Sequence, residues 1–398
     1  MPRHPLPIAQ QSRALSSVYG KIEQILVAIG GDYKNFEFER LDLFYQELFQ
    51  KFSDRVSFVV MGHFGSGSEE ALRRTLRQNG LDPDLVQVHT PLADPAEIDL
   101  HREQGVFVQD PFIVMESGHG ETLLLEPYRA YLEQNAFVAE QFADATGYAL
   151  LPTRYLLEGG NILVGDDYAL IGRNLLERNR RKFYPDMPRE EAESIITNDL
   201  KRSFGLRYLF WIGTEEEVDH PLREQWAGPE GLQPFYHIDL FLTLGGKSKA
   251  GDEIVLLAEI DTGSFDAAPT PEQEAALSLL NGLLKQVRTQ LMQYSAKHPG
   301  PRFEIVEIPM SGTIAGAAAE ISFTPYSYNN AQVEWYHGIS RIYLPSFPLR
   351  RTLEDKLREN LQGLGFSRVE YIVYDMEQFA KRRGGLHCLT KVLRRGNY

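Results

Sequence analysis

Cysteine is almost absent from this chain, since Cys388 is the single one in 398 residues. An internal disulfide is therefore excluded, and any chemistry of this sulfur is that of a free thiol. Structural zinc sites fit the sequence poorly, because they need clustered thiolates or histidines and the ten histidines here are scattered. We expect neither a metal nor a cofactor. A lone free thiol is typical of a reducing compartment.

The sequence also lacks long apolar runs and an excess of positive charge. No stretch approaches the roughly 18 apolar residues that cross a bilayer, and the first residues lack the apolar centre of a signal peptide. There are 55 acidic and 41 basic side chains, which gives a net charge of −14. This balance argues against nucleic acid or an anionic membrane as the main partner and is compatible with a cationic ligand. We expect a cytoplasmic protein.

A unit made of apolar strands and an amphipathic helix recurs along the chain. The patterns predict helices over 68–79, 131–145, 189–204, 271–296 and 353–361. They predict strands over 55–61, 85–89, 106–115, 122–126, 148–151, 161–164, 169–172, 208–212, 237–244, 253–259, 303–308, 331–334, 341–344 and 369–374. Five such units favour a closed, pseudo-repetitive α/β architecture, and an open sheet of irregular strand order is the alternative.

No linker or low-complexity tract divides the sequence. We therefore expect a helical N-terminal extension over residues 1–52, packed on a single catalytic α/β domain over 53–398.

Two of the segments that could carry chemistry supply carboxylates. Asp110 lies between apolar residues, where a charge is costly to bury unless it is paired. A turn aspartate before Pro111 is the alternative. Glu158 precedes Gly159 and Gly160, whose flexible backbone could aim the carboxylate into a cleft. A surface hairpin turn is the other interpretation.

Two further segments supply an imidazole and the thiol. His237 and Asp239 would share one face of a strand, since side chains alternate along a strand. A half-buried strand with its polar side in water is the alternative. Cys388 follows two glycines and could be a nucleophile, or a small buried apolar side chain. On a strand, His387 would point to the opposite face, so we assign it no acid or base role.

A thiol, an imidazole and three carboxylates suit a planar cation better than they suit the scissile group of a protease. Two carboxylates can hold a guanidinium by paired, charge-assisted hydrogen bonds. The bound cation would also favour the thiolate, which is the form of cysteine that attacks.

The order of these segments resembles that of the guanidino-modifying enzymes, the superfamily of arginine deiminases, agmatine deiminases and amidinotransferases. Four motifs carry the resemblance: Asp110 within VQDPF, EGGNI at 158–162, HID at 237–239 and GGLHC at 384–388. The stretch NLLERNR at 174–180 is similar to agmatine deiminases and to bacterial peptidylarginine-deiminase-type proteins. The similarity covers roughly residues 85–398. It implies a five-bladed α/β-propeller built from pseudo-repeated ββαβ units.

The resemblance also implies roles for single residues. Cys388 would attack the guanidinium carbon and form a covalent amidino-thioether. His237 would protonate the departing ammonia and then activate a water. Asp110 and Asp239 would hold the guanidinium nitrogens, and Glu158 would position His237 or share in that grip. The implied enzyme is a hydrolase acting on the non-peptide C–N bond of a linear amidine.

Other residues are expected near the substrate. Asn161 completes the second motif as a substrate-binding or structural residue, and Trp226 lies in a long stretch, 213–236, that could gate the substrate. The chain has Gln109 before Asp110 where the agmatine deiminases usually have arginine, and its last motif has a shorter glycine lead. The substrate therefore stays open among agmatine, free arginine, methylated arginine and protein-bound arginine.

Two alternatives to a deiminase remain. An amidinotransferase would keep the covalent step but pass the amidino group to an amine, and a non-catalytic relative would only bind a cationic ligand. In each case the expected partner is a small guanidino compound or protein-bound arginine. Nucleic acid and membrane are not expected as partners, and a homo-oligomer is left open.

Overall fold

The computed structural model describes residues 12–29, 41–52, 56–62, 73–74, 77, 86–89, 107–128, 138–217, 222, 230–317, 320–347 and 350–396. The helix predicted over 68–79 falls largely outside these ranges. So do Trp226 and most of the central part of the 213–236 stretch.

The described residues form eighteen strands and several helices, which we number in chain order. The strands are β1 (Arg13–Ala14), β2 (Ile22–Ile29), β3 (Ser57–Gly62), β4 (Val86–His89), β5 (Ile113–Glu116), β6 (Thr122–Glu126), β7 (Ala149–Pro152), β8 (Ile162–Val164), β9 (Tyr168–Gly172), β10 (Tyr208–Ile212), β11 (Leu242–Lys247), β12 (Glu253–Ile260), β13 (Phe303–Ala315), β14 (Ser322–Ser327), β15 (Gln332–Tyr336), β16 (Ile339–Ser346), β17 (Arg368–Asp375) and β18 (Lys391–Arg395). The helices are α1 (Leu41–Phe52), α2 (Val138–Thr146), α3 (Arg173–Phe183), α4 (Arg189–Phe204), α5 (Pro271–Lys297), α6 (Arg351–Gly363), α7 (Glu377–Ala380) and α8 (Leu386–Leu389).

The strands form five sheets, so the fold is mixed α/β. Their strand orders are β1-β5-β6-β7, β10-β9-β8, β11-β12-β13-β14, β15-β16-β17 and β18-β2-β3-β4. Each sheet contains the same unit, in which an antiparallel pair is followed by a strand parallel to the second member. The parallel partners are β6 and β7, β9 and β10, β12 and β13, β16 and β17, and β2 and β3. A helix connects each parallel pair, as parallel strands require.

The fifth unit is assembled from both ends of the described chain. Its first strand, β18, pairs antiparallel with β2. The expectation that residues 1–52 are helical is therefore wrong for 22–29, which form β2. Ile22 and the apolar run from Ile25 to Ala28 are buried here, in a strand that lies between β18 and β3. Only α1, among the described residues of this stretch, is helical.

Two long helices have sequence signals that explain where they begin and end. Thr270 and Gln273 form a capping box at the start of α5, with Pro271 as the first helical residue. In α4, Glu190 and Glu191 occupy the first turn, where their negative charges interact favourably with the positive end of the helix dipole. Gly205 then ends α4 in the left-handed conformation, with φ of 65°. The bounds predicted for α4 are confirmed.

Other local expectations are corrected by the structure. The strand predicted over 237–244 begins only at Leu242, because residues 238–240 form a 3₁₀ turn. The strand predicted over 106–115 begins at Ile113 in its described part. Helix α3 was not predicted, since its charged sequence RNLLERNRRKF has no apolar stripe wide enough to indicate a helix. None of the described helices is both long enough and apolar enough to cross a membrane.

Candidate active site

The segments that carry polar residues all lie directly before the first strand of a unit. Asp110 precedes β5, Glu158 precedes β8 and the 237–239 turn precedes β11. Asn330 precedes β15, and Cys388 precedes β18. Side chains from all five units therefore approach one another at the same end of their first strands.

The two glycines of EGGN allow this approach. A Cβ on Gly159 would lie 1.9 Å from the carbonyl oxygen of Gln109, so only glycine fits there without moving the backbone. A Cβ on Gly160 would lie 2.6 Å from Nδ1 of His237, 3.1 Å from Oδ2 of Asp239 and 3.2 Å from Oδ1 of Asp110. Gly160 thus lies at the point where three site side chains meet.

Glu158 forms a salt bridge with Arg178, a residue to which the sequence analysis assigns no role. Nη1 of Arg178, on α3, lies 2.9 and 2.8 Å from the two carboxylate oxygens of Glu158, and its Nε lies 2.8 Å from Glu230. All three side chains are buried. Burial alone would raise the pKa of Glu158, but Arg178 and His237 outweigh it and lower this pKa to about 2. Glu158 is therefore a fixed anion.

His237 lies between two carboxylates. Its Nε2 is 3.3 Å from Oε2 of Glu158, and its Nδ1 is 3.8 Å from Oδ1 of Asp110. Burial would lower the pKa of His237, but the charges of Asp110 and Glu158 outweigh it and raise this pKa to about 9. The imidazole is therefore protonated at neutral pH and can donate a proton.

Asp110 is fixed by the backbone of the glycine segment. Its Oδ1 accepts a hydrogen bond of 2.9 Å from the N–H of Gly160. Burial raises the pKa of Asp110, and the negative charge of Glu158 adds to this, while His237 opposes it. The aspartate is thus not a simple exposed turn residue before Pro111.

Cys388 lies in the short helical turn α8 and is 4% exposed. Its surroundings are polar: Nδ2 of Asn330 lies 3.1 Å from Sγ, and Oδ1 of Asn330 accepts from the backbone N–H of Cys388 at 3.1 Å. Oδ2 of Asp239 lies 3.5 Å from the same sulfur. Burial raises the pKa of the thiol well above its ordinary value, and Asp239 and Asp110 raise it further. In the free protein the sulfur is therefore a thiol.

The structure places His387 in the site, which contradicts the expectation that it points away from Cys388. Because 386–389 are helical and not extended, the two neighbouring side chains do not lie on opposite faces. Nδ1 of His387 is 2.8 Å from Oδ2 of Asp239, and both residues are buried. Oδ1 of Asp239 is buried without a hydrogen-bond partner among the described residues.

His237 and Asp239 meet for a different reason than the one predicted. They do not alternate along a strand, because the 3₁₀ turn over 238–240 follows His237. Both side chains nevertheless face Gly160. The backbone of the neighbouring Tyr236 is tied down through Gln233, whose Nε2 donates to its carbonyl at 2.9 Å.

The side chain of Asn161 does not take part in the cluster around Gly160. Its Oδ1 accepts from Nε2 of Gln233 at 3.1 Å and packs against Gly172, so its contacts join the EGGN turn to β9. These contacts favour the structural alternative for this residue. Among the described residues, no group of three or more His, Cys, Asp or Glu side chains is arranged to hold a metal ion.

Comparison with known proteins supports the fold. No protein-family model matches the chain, and no curated protein matches it either. Several solved structures do match over nearly the full length. Agmatine deiminase of C. jejuni has a TM-score of 0.62 at 15% identity, with 98% of each chain covered. Agmatine deiminase of Enterococcus faecalis has a TM-score of 0.63 at 14% identity, covering 99% of this chain and 98% of that one.

A cysteine-to-serine variant of the C. jejuni agmatine deiminase, solved with substrate bound, has a TM-score of 0.64 at 15% identity, with 98% of each chain covered. These structural neighbours are guanidino-modifying deiminases. The resemblance found in the sequence is thus confirmed at the level of the fold, and the chain has the mixed α/β fold of the agmatine deiminases.

Proposed function

We propose that this protein hydrolyses a guanidino group to a ureido product and ammonia through a covalent intermediate on Cys388. The observation that carries the proposal is the unpaired Oδ1 of Asp239, a buried carboxylate oxygen beside a thiol. A buried carboxylate oxygen is costly without a donor. A guanidinium group supplies several N–H donors in one plane together with a positive charge.

The negative charge of the site also supports a guanidinium as the ligand. Asp110, Glu158 and Asp239 contribute carboxylates to the site, and of these three only Glu158 pairs directly with Arg178, which also pairs with Glu230. A bound cation would offset the negative charge of Asp110 and Asp239. It would thereby lower the raised pKa of the Cys388 thiol, so that the thiolate forms when substrate is present.

The reaction then has two halves. The thiolate of Cys388 attacks the guanidinium carbon, and the protonated His237 gives its proton to the departing nitrogen, which leaves as ammonia. The product of this half is an amidino-thioether on the sulfur. Neutral His237 next takes a proton from water, whose oxygen attacks the same carbon, and the C–S bond breaks to return the thiolate and release the ureido product. The hydroxyl proton of the adduct ends on ammonia, so that one guanidinium and one water give one neutral ureido product and one ammonium.

The five repeated units support a propeller architecture for this site. We infer that the five sheets close into a five-bladed propeller, with the beginnings of their first strands around a common centre. The pairing of β18 with β2 joins the two ends of the described chain, as a closed ring requires. In this arrangement each unit contributes one or two side chains to the site.

An ammonia-release assay over guanidino compounds tests the proposal. The panel contains agmatine, free arginine, methylated arginines and an arginine peptide, with the Cys388→Ala protein as the blank. We expect one of them to release ammonia without an added amine acceptor. Strict dependence on an amine would instead indicate amidino transfer. Binding without any turnover would contradict an enzymatic role.

The position of Gly160 gives a second prediction. Gly160→Ala places a methyl group 2.6 Å from Nδ1 of His237, 3.1 Å from Oδ2 of Asp239 and 3.2 Å from Oδ1 of Asp110, so these side chains must shift. We expect a stability loss of about 1–3 kcal/mol from overpacking, together with loss of guanidino-ligand affinity. Thermal unfolding and calorimetric titration measure these two effects.

The matched control is Gly282→Ala, in α5, where an added Cβ meets no atom within 4 Å. This change should stabilise the protein by roughly 0.5–1 kcal/mol and leave ligand affinity unchanged. Equal ligand affinity in the two variants would show that Gly160 does not face the ligand.

A further inference from the structure

His387 contacts Asp239, one of the carboxylates of the proposed site. Its Nδ1 lies 2.8 Å from Oδ2 of Asp239, and that same oxygen lies 3.5 Å from Sγ of Cys388. His387 is 7% exposed and Asp239 is 1% exposed, so the contact is shielded from water. One carboxylate oxygen thus faces both the imidazole and the thiol, and the other is left for a ligand.

The second ring nitrogen of His387 determines where its proton lies. Nε2 is 3.4 Å from Nε2 of Gln109. The amide nitrogen of Gln109 donates, so in this contact Nε2 of His387 accepts, and Nδ1 carries the proton that faces the carboxylate of Asp239. Nδ1 is therefore the donor to Asp239. The backbone of Gln109 is itself fixed, because Nζ of Lys391 donates to its carbonyl at 2.6 Å.

We propose that His387, with its tautomer set by Gln109, is a positioning residue that acts through Asp239. By donating to Oδ2 it fixes the carboxylate so that Oδ1 faces the guanidinium. By the same hydrogen bond it reduces the negative charge that Oδ2 presents to the thiol. The first effect rests on the proposed function, whereas the effect on the thiol does not.

Several charged groups surround the thiol and define what His387 can change. Asp239 and Asp110 disfavour the thiolate, and Asn330 is a neutral donor to the sulfur. The hydroxyl of Tyr236, whose ring lies beside that of His237, donates to the carbonyl of Arg383. Glu158 and His237 pair with each other. Among the described residues, His387 is the side chain other than the thiol that donates to Oδ2 of Asp239.

Replacing His387 by asparagine or by glutamine separates the roles of its two ring nitrogens. Asparagine places its amide nitrogen close to the position of Nδ1 and can still donate to Asp239. Glutamine places its amide nearer the position of Nε2. Because Cys388 is the single cysteine, alkylation by iodoacetamide reports on this thiol alone. The alkylation rate is measured against pH without substrate. The midpoint of this profile is determined by the pKa of the thiol, and its limiting rate is determined by how easily iodoacetamide reaches the sulfur.

We expect His387→Gln to raise the midpoint by about one pH unit, which is roughly a tenfold slower alkylation below the midpoint. His387→Asn should keep the wild-type midpoint. Gln109→Leu, which removes the donor to Nε2 and frees the tautomer, should shift the midpoint in the same direction as His387→Gln but less. Equal midpoints in the asparagine and glutamine variants, or no shift with Gln109→Leu, would overturn the proposal.

Kinetics on an accepted guanidino substrate provide the second readout. We expect His387→Gln to raise KM at least about tenfold, since Asp239 loses its orientation, and His387→Asn to restore it. Equal KM values in the two variants would contradict the effect on Oδ1. If no guanidino compound is turned over, the proposed function fails, and the alkylation midpoints still decide whether His387 acts on the thiol.

Discussion

Replacing Cys388 by serine is expected to lower the rate of ammonia release by about 10⁴-fold or more, because a hydroxyl cannot act as the nucleophile here. Guanidino-ligand binding should persist, since the aspartates that would hold the cation are unchanged. Single-turnover ammonia release and calorimetric titration measure the two effects.

A second thiol supplies the control for this loss. Ser278 is exposed on α5, so Ser278→Cys in the Cys388→Ser protein restores a thiol outside the site. This double variant should stay inactive, and Ser278→Cys alone should keep the wild-type rate. Appreciable turnover in the Cys388→Ser protein would show that another residue forms the intermediate, or that none is formed.

The sequence predicted the repeated α/β units better than it predicted their ends. Apolar strands and amphipathic helices follow periodicities that local residues determine, so α4 and α5 were predicted almost to the residue. The pairing of the strand over 22–29 with β18 was not predicted, because β18 lies more than 360 residues away in the chain. Pairing between such distant strands leaves no local signal.

The same limit explains which site residues were found. Asp110, Glu158, His237, Asp239 and Cys388 carry the motifs of the resemblance, and the structure joins them through a chain of contacts around Gly160. Arg178 was missed because the contact that matters links α3 to the EGGN turn, and charged residues on a helix usually face water. His387 was excluded by assuming a strand where the chain forms a helical turn.

Asn330 is the residue that the repeat itself could have identified. In four of the five units the sequence predicts a site residue before the first strand, whereas in the fourth unit, which begins with β15, it predicts none. The sequence Tyr328-Asn329-Asn330-Ala331 comes directly before this strand. Two buried amides between an aromatic residue and an apolar strand are costly unless they have a specific partner, which for Asn330 is Cys388.

Asp239→Asn is expected to have opposite effects on the free protein and on catalysis. In the free protein the carboxylate of Asp239 is one of the causes of the raised thiol pKa, second only to burial. Removing its charge should therefore lower the pKa of Cys388, and iodoacetamide should alkylate the substrate-free variant faster than the wild type at about pH 8, below the raised thiol pKa. With substrate, the amide lacks the charge to hold a guanidinium, and the loss of one charge-assisted interaction costs about 1.5–3 kcal/mol.

This loss corresponds to a fall in kcat/KM of roughly 10- to 100-fold. Cys388 would thus become more reactive toward an alkylating agent while the enzyme becomes slower. A merely structural role of Asp239 cannot produce this combination, because local unfolding would speed alkylation but would also lower the unfolding temperature. Thermal unfolding of the same samples makes that distinction. Slower alkylation in Asp239→Asn would mean that the carboxylate assists the thiolate before substrate binds, and the substrate-dependent activation proposed above would be wrong.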